Sequence, residues 1–465
     1  MEWLQKIYIF ILNPFCRITD RIDEKKRVAV AAAMIFLLYG SLLIWYSVNM
    51  FDIYISLTSR MVLAVIFLAV FIIFICHDGL RVINWNKWFA VCWILCGLLI
   101  FFMGFVARQN MGYWMIGPVM AFGLPCLYLA IHNSKDIDRT FALIGKAVIA
   151  ASVIYFIFAV FAEAVSDNVW DISSGRYNGT TSDANRIGEI CVASFACGIY
   201  LFRSRYSNIF WKAMSLLTMS FCVCDAMISI SRSTMIAIAC MILYYLIIEI
   251  KDMVFRKGIK RALVNILCIV ASIVIGFVFI SGMREVHKYM EVQKAVQNIT
   301  AEQEIKTEKK IAEKTVAVET EQVKENKRLE TEGKDLNTYS SGRIKIWKEY
   351  GYNIKILGHP ADGKTPISGN LTNVAAHNTL LEISYRSGAL AGILFLITEI
   401  WAGIYILRVL FRTENKDYDY FAVFGFIGYI IVSNLQVAYN PLTSIIFFVY
   451  ILGLSILFQR REKTH

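Results

Sequence analysis

Apolar segments about as long as a bilayer is thick recur along most of this chain. Twelve windows carry the pattern: 28–47, 55–76, 88–107, 113–131, 141–165, 187–202, 208–230, 233–250, 262–281, 388–409, 420–437 and 442–458. A membrane-crossing helix needs roughly 20 mostly apolar residues, so the spacing predicts an all-α integral membrane protein with about 12 transmembrane helices. Pro118 and Pro125 fall inside the fourth window and predict an interrupted helix there. The stretch Ile7 to Phe15 is too short to span and reads as a helix lying in the interface.

One long polar stretch breaks the pattern. Residues 282–387 separate a block of nine predicted spans (1–281) from a block of three with a tail (388–465). Within it, 284–335 is dense in balanced charge and has no proline. Glu302/Lys306 and Glu330/Lys334 stand at helical i,i+4 spacing in the favourable order, which predicts one or two exposed helices. From 338 to 376 glycine, proline, asparagine, threonine and aromatics take over, as in loops and short helices on a membrane surface. Residues 379–411 are too long for one straight span. Gly388 divides them into a short interfacial helix, with Glu382 and Arg386 placed to pair, and a span beginning near Gly388.

Composition agrees with a membrane protein: 57% of the 465 residues are hydrophobic, and mean hydropathy is +0.54, above the range of soluble domains. Charge supplies an orientation. With twelve spans, one set of connections and both termini hold 24 Lys/Arg, whereas the short loops of the other set hold five: Arg60, Arg108, Arg176, Arg186 and Arg232. The positive-inside rule then puts both termini in the cytoplasm and the 282–387 stretch outside. The net charge of +11 is a topology signal and gives no reason to expect a nucleic-acid partner. All eleven cysteines fall at or before Cys268, so the polar stretch has no disulfide framework.

Charged residues gather at the predicted outer side. Arg176, Arg186, Glu189, Asp225, Arg232, Arg343, His377, Glu382 and Arg386 all map there, with Lys146 and Glu399 the main exceptions. Ionisable groups at membrane depth are expensive and default to functional candidates. Guanidinium groups match phosphate oxygens bidentately and remain charged, so arginines converging there suit a lipid diphosphate. No glycine-rich phosphate loop opens a helix, which leaves side chains to supply the positive charge. His377 is the candidate general base, since an imidazole titrates near neutrality. No metal is expected: the histidines show no zinc-type spacing, and Asp167, Asp171 and Asp183 around Arg176 are too loosely spaced.

Four strings carry a resemblance: Arg176-Tyr177-Asn178-Gly179 leading to Ala184-Asn185; Ile230-Ser231-Arg232-Ser233; Ser341-Gly342-Arg343-Ile344-Lys345-Ile346-Trp347; and Ala376-His377-Asn378-Thr379-Leu380-Leu381-Glu382 with Gly388. In order and setting they resemble the O-antigen ligase/polymerase superfamily of bacterial inner-membrane glycosyltransferases. The resemblance spans roughly 170–395. It implies a metal-independent, cofactor-free, inverting transfer of a glycan from undecaprenyl diphosphate to a sugar hydroxyl at the extracytoplasmic face. It further implies that Arg176, Arg232 and Arg343 bind the diphosphate and that His377 activates the acceptor, with Asn185, Arg186, Asn378, Glu382 and Asp225 in support. The Asn-Pro-Asn-like stretch usual in the family reads Asp183-Ala184-Asn185 here, so a different local turn is expected. Within this reading a repeat-unit polymerase, elongating one lipid-linked glycan with another, is favoured over a ligase acting on lipid A-core. A lipid-sugar flippase is the alternative of another class. It predicts charges along a central path, whereas here they collect at one face.

Overall fold

A computed structural model describes residues 1–47, 57–106, 115–162, 169–171, 176–181, 183–256, 259–309, 342–359, 375–412, 414–440 and 444–459. Along these the chain is almost wholly helical. The helices are α1 (Glu2–Thr19), α2 (Glu24–Tyr46), α3 (Leu57–Ile75), α4 (Lys87–Val106), α5 (Ile116–Pro118), α6 (Leu124–His132), α7 (Ile137–Phe161), α8 (Ala184–Arg203), α9 (Ile209–Ile228), α10 (Arg232–Arg256), α11 (Ile259–Lys309), α12 (Arg343–Tyr352), α13 (Thr379–Ser387), α14 (Ala389–Phe411), α15 (Asp417–Ser433) and α16 (Ile445–Phe458). Among the described residues the one sheet is a small antiparallel hairpin, β1 (Trp170–Asp171) with β2 (Arg176–Tyr177).

Among the described residues seven helices are long and apolar enough to cross a membrane: α2, α4, α7, α9, α10, the first part of α11, and α14. Shorter apolar helices run over Val62–Ile75, Ile116–His132 and Ile445–Phe458. The fourth window is distorted where its prolines stand. Between Pro118 and Pro125 the helix takes a π-helical turn over Val119–Gly123, which accommodates the N–H that Pro125 lacks.

The apolar residues are distributed as lipid solvation requires. Leu263, Val264, Leu267, Val270, Val274 and Val278 of α11 all project away from the protein. An apolar face of that extent is stable only against hydrocarbon or another protein. α1 exposes Trp3, Ile7, Phe10, Ile11, Phe15 and Ile18, while Leu4, Tyr8 and Cys16 on its other side pack into the core.

The centre belongs to α8, which is buried from Ile187 to Phe202 and packs on α7, α9, α10, α15 and α16. Its Ala193, Ser194, Ala196 and Gly198 are small enough to let neighbours approach closely. Its Ser194 shares hydrogen bonds with Tyr39 at 3.3 Å and Ser152 at 2.8 Å. Ion pairs fasten the basic end of the bundle. Arg203 pairs with Glu249 and Asp252 and lies 4.4 Å from the Tyr420 ring centroid, and Arg205 reaches Asp138 at 2.8 Å.

The polar stretch is entered without a break, because α11 continues through residue 281 to Lys309. Residues 310–341, which include the Glu330/Lys334 pair, lie outside the described residues. The division at Gly388 holds: α13 ends at Ser387, Gly388 takes φ +97°, and α14 begins at Ala389. Glu382 and Arg386 form the ion pair that their spacing predicted.

Candidate functional site

Four helices start near one another at the end of the bundle opposite Arg203. α8 opens with Asp183 as its cap. The carboxylate accepts the Asn185 N–H at 3.0 Å and the Asn185 side-chain amide at 3.2 Å. Asp183-Ala184-Asn185 thus folds as a capped helix start, a role Asp fills well.

α10 starts at Arg232, after Ile230 at φ +51°. A β-branched residue in the left-handed region is strained, and strain of this kind persists only where the surroundings impose it. Here the surroundings are close. A Cβ on Gly188 would lie 2.1 Å from Thr234 Oγ1 and 2.9 Å from Ser231 Oγ. Only glycine at 188 lets the first turns of α8 and α10 touch. Arg176, buried on β2, donates from Nε to the Ser229 carbonyl at 2.8 Å and so holds the turn from which Arg232 emerges.

α13 is capped by Asn378, whose Oδ1 accepts the Leu381 N–H at 3.0 Å and whose amide lies 3.3 Å from the Asn434 carbonyl. Thr379 Oγ1 donates to the Gln436 carbonyl at 3.0 Å and accepts the Ala438 N–H at 2.8 Å. Gln436 Nε2 then donates to Ser233 Oγ at 3.3 Å. The start of α13 is thereby tied to the start of α10. The fourth start is α12, whose first residue is Arg343, following Gly342 at φ +78°.

His377 stands one residue before the α13 cap, in the left-handed region at φ +50°. Burial holds its imidazole below the ordinary value, and the Arg343 charge pushes the same way, while Asp183 and Glu382 oppose. The groups acting on this one ring therefore come from the cap of α8, the first residue of α12 and the first turn of α13. A depressed value keeps the ring neutral, able to accept a proton, at physiological pH. Glu382 is buried and fixes the residue before His377: Oε2 accepts the Ala376 N–H at 2.9 Å, while Oε1 pairs with Arg386.

Not every candidate from the sequence meets at that ring. Arg186 lies on the exposed face of the first turn of α8. Asp225 is buried in the last turn of α9, and Glu189, also buried, accepts from Ser444 at 3.1 Å. Asp167 and the side chain of Asp171 fall outside the described residues. His359 stacks on Tyr385 with ring centroids 3.9 Å apart, a packing role.

The converging helix starts add a feature beside the side chains: the start of a helix carries roughly +0.5 of a charge in the N–H groups of its first turn. Sequence reasoning missed this, although Asp183, Ser231 and Asn378 before apolar runs are cap signals. It also missed Thr379, Gln436 and Ser233, whose bonds join segments far apart in the chain. No protein-family profile matches this chain, and no curated protein matches it.

Proposed function

We propose that this chain is a membrane glycosyltransferase acting on a glycan carried by a polyprenyl diphosphate, as in the O-antigen ligase/polymerase superfamily it resembles. The observation that carries the reading is the meeting at His377: a neutral-leaning imidazole under the charge of Arg343, where helix starts converge. Twelve spans, cytoplasmic termini and an extracytoplasmic site in a bacterial inner membrane belong to the same proposal.

The chemistry follows from these parts. His377 takes the proton from an acceptor sugar hydroxyl, and the oxygen attacks the anomeric carbon of the donor sugar from the face opposite the diphosphate. The bond from that carbon to the diphosphate oxygen breaks, and the electron pair leaves with the diphosphate. Arg232, Arg343 and the N–H groups of the helix starts stabilise the charge as it builds. Arg176 supports Arg232 through the Ser229 carbonyl. His377 then gives its proton to water.

A repeat-unit polymerase is the form proposed, in which the acceptor is a second lipid-linked glycan. Reconstituted protein supplied only with a lipid-diphosphate oligosaccharide is expected to give a ladder of longer products. Product formed only after a separate acceptor is added would make it a ligase. No product with either acceptor, together with movement of the lipid-linked sugar between leaflets, would replace the transferase by a flippase.

A further inference from the structure

Residues 352–359, at and after the end of α12, turn large apolar side chains outward. Tyr352 is 84% exposed, Ile356 78% and Leu357 66%. In a water-solvated loop this arrangement has a free-energy cost with no return. The loop is not loosely attached. The Ala389 N–H donates to the Lys355 carbonyl at 2.9 Å, and the His359 N–H donates to the Arg386 carbonyl at 3.4 Å. Gly358 and Gly388, at φ +75° and +97°, lie back to back. A Cβ on Gly388 would stand 2.1 Å from the Ile356 carbonyl oxygen, and one on Gly358 would stand 2.3 Å from the Arg386 oxygen. Strand-like contact at this distance sets the height of the loop level with the first turn of α14.

That height decides the surroundings. α14 is a membrane-length apolar helix, and its first turns present Leu390 and Ile393, each about half exposed, on the outer surface. The backbone bonds from Lys355 to Ala389 and from His359 to Arg386 hold the loop beside the start of this helix. We propose that Tyr352, Ile356 and Leu357 seat in the lipid leaflet beside the start of α14, as a monotopic anchor. The apolar tips enter the acyl region, and the exposed Lys355 stem runs up so that its ammonium stays among the headgroups. α12 is then fixed at headgroup depth, because Tyr350 packs edge-on to Tyr385 of α13 with ring centroids 4.9 Å apart while the loop grips the bilayer. The inference is independent of the transferase reading.

The test uses the full chain in lipid nanodiscs, with an environment-sensitive fluorescent amino acid at position 357 and, in separate proteins, at 356, 352 and the exposed 348 of α12. Emission from 357, 356 and 352 is expected to be blue-shifted, quenched several-fold by acyl-brominated phospholipid and little affected by aqueous iodide. Position 348 is expected to show the reverse. Iodide quenching at 357 and 356 equal to that at 348 would overturn the proposal. So would a dry emission that brominated lipid leaves unchanged, since a protein surface would then cover the loop. Three labelled positions keep the outcome decisive if one protein fails to reconstitute.

Discussion

Glu382 offers the sharpest test of how the site is built. It is 2% exposed, lies one turn into α13, and spends its two oxygens on the Ala376 N–H and on Arg386. Glu382→Ala leaves the N–H of fully buried Ala376 without an acceptor, which costs about 1–3 kcal/mol. The Arg386 side chain is 20% exposed, so water recovers much of the lost pair, and about 1 kcal/mol is a fair allowance. The 375–378 turn should therefore open more easily by about 2–4 kcal/mol, which is on the order of 30- to 1,000-fold in equilibrium. Glu382→Gln retains an acceptor for Ala376 and loses the charge, so its effect should be about 1–2 kcal/mol. The measurement is amide hydrogen exchange of the peptide covering 375–386 in detergent or nanodiscs. The expected order of exchange is parental slowest, Glu382→Gln intermediate, Glu382→Ala fastest, with peptides from α8 unchanged. Equal exchange in Glu382→Ala and the parent would refute the idea that this carboxylate holds the histidine in place.

The other expectations concern chemistry and backbone. His377→Ala is expected to abolish glycan transfer while the protein still inserts and elutes as the parent does; transfer at the parental rate would remove His377 as the base. Because burial and Arg343 both depress His377, its neutral form persists below the ordinary imidazole range. The acid limb of the pH–rate profile should lie below pH 6.5, and Arg343→Gln should move it upward; movement downward contradicts the assignment. The same sign governs stability: a depressed histidine binds its proton more weakly folded than unfolded, so its protonation lowers stability as pH falls through the unfolded value near 6.5 and on through the folded one. Arg232→Lys keeps the charge and loses the planar fork, and is expected to weaken donor binding and turnover; unchanged kinetics would place Arg232 outside the site. Gly388→Ala puts a methyl group against the Ile356 carbonyl at a φ that L residues avoid, and should cost upwards of about 1–3 kcal/mol, read as a lower midpoint of thermal unfolding.

Much of this molecule is written in its one-dimensional pattern, and the reason is physical. Lipid demands long apolar helices whose backbone bonds close internally. The periods in the sequence therefore gave the helices, the proline interruption at 118–125 and the division at Gly388. Cap residues and i,i+4 charge pairs are local too, which is why Glu382 and Arg386 were legible as partners. What brings Asp183 and Arg343 to bear on the same imidazole as the neighbouring Glu382 is not local. It rests on the contact of Gly188 with Thr234, on the bridge from Thr379 through Gln436 to Ser233, and on the bond from Arg176 to the Ser229 carbonyl. No spacing along the chain encodes these, because side-chain and backbone contacts between helices depend on how the helices are rotated and how closely they approach. Helix-forming segments and their apolar lengths could be read along the chain, because both are local properties. That several of those helices begin at the same place follows only from how they pack in three dimensions.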